Sequence, residues 1–268
     1  MINSDKKFSA LFSEEARTDE NQDRISQEDL AQYAVSYSVL SSLIFNTFRR
    51  RFAKTHAAFL TGIGIQYPES VIVNAKHQSS ANTVIVGQRM PPQILIRAAD
   101  ARPIELHDLL PADSRFKVLI FAGDITDTVQ SVKVEKLAAE MSRPESFLNK
   151  YTPAKEWNKM FDIFVISAGK KENIDYTKLP ELFRSHWSKY VSPRLWHPLV
   201  NWSGRVFVDD LDMAGVKGGQ AYASFGIGSP GAIIIVRPDG HVGFISQLDS
   251  CAVQDTDDYF SSFMKAPR

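Results

Sequence analysis

Cysteine is almost absent: Cys251 is the only one in 268 residues. That excludes an internal disulfide, a Cys-x-x-Cys redox pair and a cysteine-rich zinc site. Net charge is absent as well, with 31 Lys plus Arg against 31 Asp plus Glu. Nucleic acid as the main partner is excluded on that ground, because phosphate contact shows as basic excess. No run approaches the ~18 apolar residues of a spanning helix, so no membrane partner is expected. The N-terminal MINSDKKFSA lacks the apolar stretch of a signal peptide, and a reducing, cytoplasmic location is the expectation. None of His56, His77, His107, His186, His197 and His241 pairs at the i, i+4 spacing of a helical metal site, so no metal is expected. Gly62 and Gly64 follow no strand and lack a third glycine, so no dinucleotide fingerprint is present. Gly226-Ile-Gly-Ser229-Pro lacks the closing glycine of a nucleophile elbow and precedes a strand.

What is present reads as α/β. Ser26-Gln-Glu-Asp29 opens a helix, with Leu30, Ala34, Tyr37, Ile44 and Phe48 at helical spacing and Arg49 to Arg51 near its end. Residues 61–73 read as a linker with strand character, and residues 74–90 as a surface crossing. Ile94 begins a short strand, and PIELHDLL follows as a short strand and a turn. Phe116 to Gly123 is a buried strand, Val129 to Met141 a helix with Val129, Val132, Leu137 and Met141 apolar, and Phe161 to Ala168 a second buried strand. Residues 170–203 form an irregular insertion. Arg205 to Asp210 is a third strand, and a helix over Gly219 to Phe225 stops at Gly226. AIIIVRPDGHVGF (232–244) is a hairpin whose turn is set by Pro238 and Gly240. A final helix is expected around Asp257 to Phe263. The order predicts a thioredoxin-like mixed sheet with flanking helices, preceded by a long N-terminal helical segment.

In such a sheet a reactive thiol sits after the first central strand, where a helix N-terminus lowers its pKa. Here that place is Gly123-Asp-Ile-Thr-Asp-Thr128, without cysteine, and Cys251 reads as an incidental thiol. Asp209, Asp210 and Asp212 are the densest acidic cluster, read as capping the next helix in preference to holding a cation. Asp255, Asp257 and Asp258 read as charging the last helix start. His186, Trp187, Trp196 and His197 are candidates for an aromatic pocket or an interface.

With these residues placed, the chain resembles the C-terminal part of phenol 2-monooxygenase-type flavoprotein hydroxylases. The matching phrases are FSALFS (8–13), GIGIQYPES (62–70), VGQRMP (86–91), ADARPIELHDLL (99–110), FKVLIFAGD (116–124), SFLNKYTP (146–153), VFVDD (206–210), GQAYASFGI (219–227) and IIIVRPDGHVG (233–243). The resemblance implies a helical remnant of the flavin portion plus linker over 1–75 and a dimerisation domain over 76–268. It implies FAD in the full-length family but none bound by this chain alone, and no catalytic or cofactor-binding residue carries over, because the flavin-side residues belong to the preceding portion. Three readings follow: a dimerisation or docking module serving as a homodimer or with a flavin-bearing monooxygenase partner; a stand-alone recruited isomerase, cyclase or hydroxylase with a small phenolic ligand; and a fragment of a longer FAD-dependent monooxygenase.

Overall fold

The computed structural model describes residues 64–153, 156–184 and 205–267. The expected N-terminal helix from Ser26, the Arg49–Arg51 run and FSALF lie outside the described residues, as do His186, Trp187, Trp196 and His197. Thr61–Arg268 is a compact unit.

Its centre is β3 (Phe116–Gly123) beside β4 (Phe161–Ser167), paired in parallel with Phe116 opposite Phe161. Every residue of β4 is buried, and so is every residue of β3 after Phe116. A strand covered on both faces reads as a continuous apolar run, as Val118–Ala122 and Ile163–Ile166 do. Side chains alternate between the faces. Val118, Ile120, Ile163 and Val165 enter one core, and Leu119, Phe121, Phe164 and Ile166 the other.

The sheet extends both ways. β5 (Val206–Val208) lies parallel to β4, and the short β1 (Ile94–Arg97) and β2 (Pro103–Glu105) continue it antiparallel. On the other side β6 (Ala232–Val236) runs antiparallel to β3, and β7 (Val242–Gln247) closes the hairpin. The strand order is β2-β1-β5-β4-β3-β6-β7. The helices α1 (Thr128–Met141), α2 (Phe147–Lys150) and α4 (Ala252–Ser261) contribute to the first core, and α3 (Ala221–Phe225) to the second. A central parallel pair joined by a helix, a third parallel strand, a terminal antiparallel hairpin and a last helix make the sheet thioredoxin-like, as the sequence order predicts.

The RPDG turn is built as its residues dictate. Gly240 sits at φ 82°, and its N–H donates to Arg237 O at 2.9 Å. Gly226 ends α3 at φ 63°, a left-handed cap that glycine adopts without a Cβ penalty.

Four details depart from the sequence expectation. Residues 74–90 are more than a surface crossing: Ala81, Val84, Val86 and Met90 are buried on the second face, while residues such as Ala75, Lys76, Asn82 and Arg89 stay exposed. That segment is also hydrogen-bonded along β7, with Asn74 N on Gly243 O (2.9 Å) and Gly87 N on Val242 O (2.8 Å). On α1 the buried side chains are Gln130, Val134, Leu137, Ala138 and Met141, whereas Val129 and Val132 face solvent. The last helix begins at Ala252, five residues before Asp257. Asp257 therefore lies mid-helix, and its Oδ1 accepts the Phe147 N–H at the start of α2 (2.5 Å). Burial raises the Asp257 carboxyl above its usual range.

Candidate functional site

The C-terminal ends of β3, β4 and β5 are where an open α/β sheet places its chemistry. Here three side chains close that end. The Tyr222 hydroxyl on α3 donates to Ile166 O at the end of β4 and accepts the Gly123 N–H at the end of β3, both at 2.8 Å. Burial pushes its phenol well above the ordinary tyrosine range. Gln130, on the first turn of α1, donates from Nε2 to Ser229 O (2.7 Å). Asp209, one residue past β5, accepts the Ala221 and Tyr222 N–H groups at the start of α3, each at 2.8 Å.

Sequence reasoning assigned Asp209 a capping role, and its two bonds to α3 have that geometry. The neighbouring acids do not reach α3 and hold loop amides instead. Asp210 takes the backbone N–H of Lys171 (3.0 Å) and Leu211 (2.8 Å), and Asp212 takes that of Val216 (2.8 Å). Although desolvation opposes it, these amides hold the Asp210 carboxyl below its usual range. Among the described residues, no group of three or more His, Cys, Asp or Glu side chains is placed to hold a metal ion.

The thiol position carries carboxylates. Asp124 Oδ1 accepts the N–H and hydroxyl of Thr126 (2.9 and 2.7 Å), and Asp127 caps α1 through Val129 N (3.1 Å). Cys251 lies elsewhere, exposed at the start of α4. A helix N-terminus already capped by one carboxylate, with a second close by, would repel a pyrophosphate; it does not fit a flavin dinucleotide. Tyr222 and Gln130 escaped sequence reasoning because an isolated tyrosine in AYASF and glutamine in TVQSV carry no motif.

A second polar group holds the hairpin turn. Arg237 stacks over the Tyr67 ring (5.0 Å), His241 meets that ring edge-on (4.9 Å), and Asp239 pairs with Arg237 (2.5 Å). The turn is thereby clamped to the segment around residue 67, which gives RPDG a packing role.

Replacing Tyr222 with Phe tests the closure. It leaves the Gly123 N–H and Ile166 C=O without their partner, at an expected cost of about 2–3 kcal/mol. Urea denaturation should show a lower midpoint with an unchanged slope. A loss below ~0.5 kcal/mol would contradict this role for the hydroxyl.

Fold and strand ends together define a thioredoxin-like α/β domain in which the usual place for a thiol is occupied by capping carboxylates and a tyrosine lock. The chain belongs to the family described as phenol hydroxylase, C-terminal dimerisation domain, whose model matches residues 65–268. Among its relatives, the FAD-dependent monooxygenase terD of Aspergillus terreus is 27% identical over 222 residues, covering 81% of this chain and 34% of that protein. Phenol 2-monooxygenase fsqG of Aspergillus fumigatus is 28% identical, covering 78% and 33%. The 3-hydroxybenzoate 4-monooxygenase of Comamonas testosteroni is 27% identical, covering 81% and 33%. The chain thus spans about a third of the length of these relatives. Among solved structures, the flavin-dependent monooxygenase PieE in complex with FAD and substrate aligns over 97% of this chain and 36% of its own, at 14% identity and a TM-score of 0.40. A thiol:disulfide interchange protein from Bacteroides sp. aligns over 68% of this chain and 91% of its own, at 14% identity and a TM-score of 0.38.

Proposed function

We propose that this chain is the assembly module of a phenol hydroxylase-type flavin monooxygenase, pairing two copies and performing no flavin chemistry itself. One observation carries the reading. The strand ends, where such a sheet would work on a substrate, are tied together by Tyr222, Gln130 and Asp209, whose hydrogen bonds run to the protein's own backbone. Tyr222 is poorly suited to proton transfer, because its hydroxyl is held on both sides and its phenol is pushed up by burial. The family description, a dimerisation domain, agrees with a scaffold role. The relatives' names supply the setting, the oxidation of a phenolic compound with FAD, to which this domain would contribute stability and geometry.

Sedimentation equilibrium is the test, because self-association appears as a concentration-dependent mass. A dimer is expected at about 10 µM and above. A mass that stays at 30.1 kDa across that range would sink the reading. An absorption spectrum adds an independent arm. A flavin band in the purified chain would contradict the absence of its own flavin chemistry, whatever the mass.

A further inference from the structure

At the other end of the sheet, where β3, β4 and β5 begin, five charged side chains meet. Lys117 is 1% exposed, Arg205 7% and Asp162 9%; Asp113 and Arg115 form the more open side. Arg115 pairs with Asp113 (2.5 Å) and with Asp162 Oδ2 (3.1 Å), Arg205 reaches Asp162 Oδ1 (3.5 Å), and Lys117 pairs with Asp113. Three cations therefore face two carboxylates.

The surplus falls on Arg205 and Lys117. Among the described residues, Arg205 Nη1 is buried without a hydrogen-bond partner, and the guanidinium lies over the Trp157 ring at 4.6 Å. Among the described residues, the charged groups acting on Arg205 are Asp162 and Arg115 alone. Lys117 has Asp113 as its one described acceptor, although an ammonium carries three donors. Two carboxylates shared among three cations leave one positive charge of the buried cluster unbalanced, which is costly, and stacking on an indole offsets only part of that.

We propose that this cluster is a binding site for one small monovalent oxyanion, a carboxylate or inorganic phosphate, held by the free edge of Arg205 and reached from the Arg115 side. The bound anion balances the charges and makes folding anion-dependent. The site is separate from the strand-end closure and independent of the assembly role.

The test is thermal unfolding of the full chain at constant ionic strength in chloride, acetate or phosphate, beside Arg205→Met. That substitution removes the surplus charge and leaves two cations on two carboxylates. Wild type should gain about 3–6 °C in Tm in acetate or phosphate at ten times the Kd, and the variant should not. Acetate acting alone identifies a carboxylate site, and phosphate acting alone a phosphate site. Equal gains in both proteins, or no gain in wild type, would overturn the proposal. If Arg205→Met does not fold, the chloride-35 line width of the wild-type solution decides. Broadening that acetate or phosphate reverses supports the site, and a line indifferent to both overturns it.

Discussion

Gly231→Ala is expected to leave little folded protein. Gly231 sits at φ 85°, a conformation an L side chain adopts only under strain. A Cβ there would lie 2.2 Å from Phe121 O and within 3.3 Å of Leu248. Phe121 belongs to β3 at the centre of the sheet, where Phe121 pairs with Ala232, so its carbonyl cannot retreat without opening the β3–β6 ladder. Dihedral strain and overlap together should cost about 4 kcal/mol or more, a Tm fall on the order of 10 °C or frank insolubility. Two controls separate the causes. Gly215 is also at positive φ, but a Cβ there meets nothing within 4 Å, so Gly215→Ala should cost only about 1–2 kcal/mol of strain. Gly228 has no positive φ, and its Cβ would touch only Pro230 at 3.4 Å, so Gly228→Ala should be nearly neutral. Scanning calorimetry should return the order Gly228, Gly215, Gly231; a mild Gly231→Ala would contradict the packing of the β6 entrance.

Phe260→Ala carries the second large effect. Phe260 is fully buried on α4 and sits within an aromatic cluster. Its ring stacks on Phe147 (5.0 Å) and meets Phe161 (5.1 Å), Phe116 (5.3 Å) and Tyr259 (5.1 Å) at steep angles. Removing it lifts the contact that joins α4 to α2 and to the starts of β3 and β4. The rigid rings around it collapse poorly into the gap, so a loss of about 3–5 kcal/mol is expected. Phe260→Leu keeps much of the volume and should recover about half of that. Equal losses for the two variants, read by chemical denaturation, would show that stacking geometry outweighs filled volume.

Much of this architecture was legible in the sequence. VLIFA (118–122) and IFVI (163–166) announce two-sided burial by their apolar runs, each preceded by one charged residue, Lys117 or Asp162, and RPDG fixes the hairpin by turn chemistry alone. What escaped did so for physical reasons. Residues 74–90 carry Ser, Asn and Gln among their apolar residues, and the four buried apolar side chains follow neither a helical nor a strand period. The acids around Asp257 suggest the start of α4, but the helix opens at Ala252 and uses Asp257 to hold another helix. Val129 and Val132 lie on the solvent side of α1, while Gln130 turns inward to a partner about a hundred positions away in the chain. The candidate site was legible only in part. Asp209 reads as a cap from its place after a strand, but no local pattern reveals that Tyr222 reaches two strand ends at once. The cluster around Arg205 draws its members from separate strand starts, which only the folded sheet brings together.

The backbone coverage of the sheet margins limits how copies can join. At the start of β7 the outward groups of Val242 and the Gly243 carbonyl are taken up by Gly87, Gln88 and Asn74. The opposite margin is β2, three residues long and starting on Pro103, which has no N–H to donate. A foreign strand therefore meets a short, proline-started template at β2 and a partly covered one at β7. In the pairing proposed above, recognition would then fall largely to side chains, and a handful of surface substitutions would re-target a partner without disturbing a rung of the ladder.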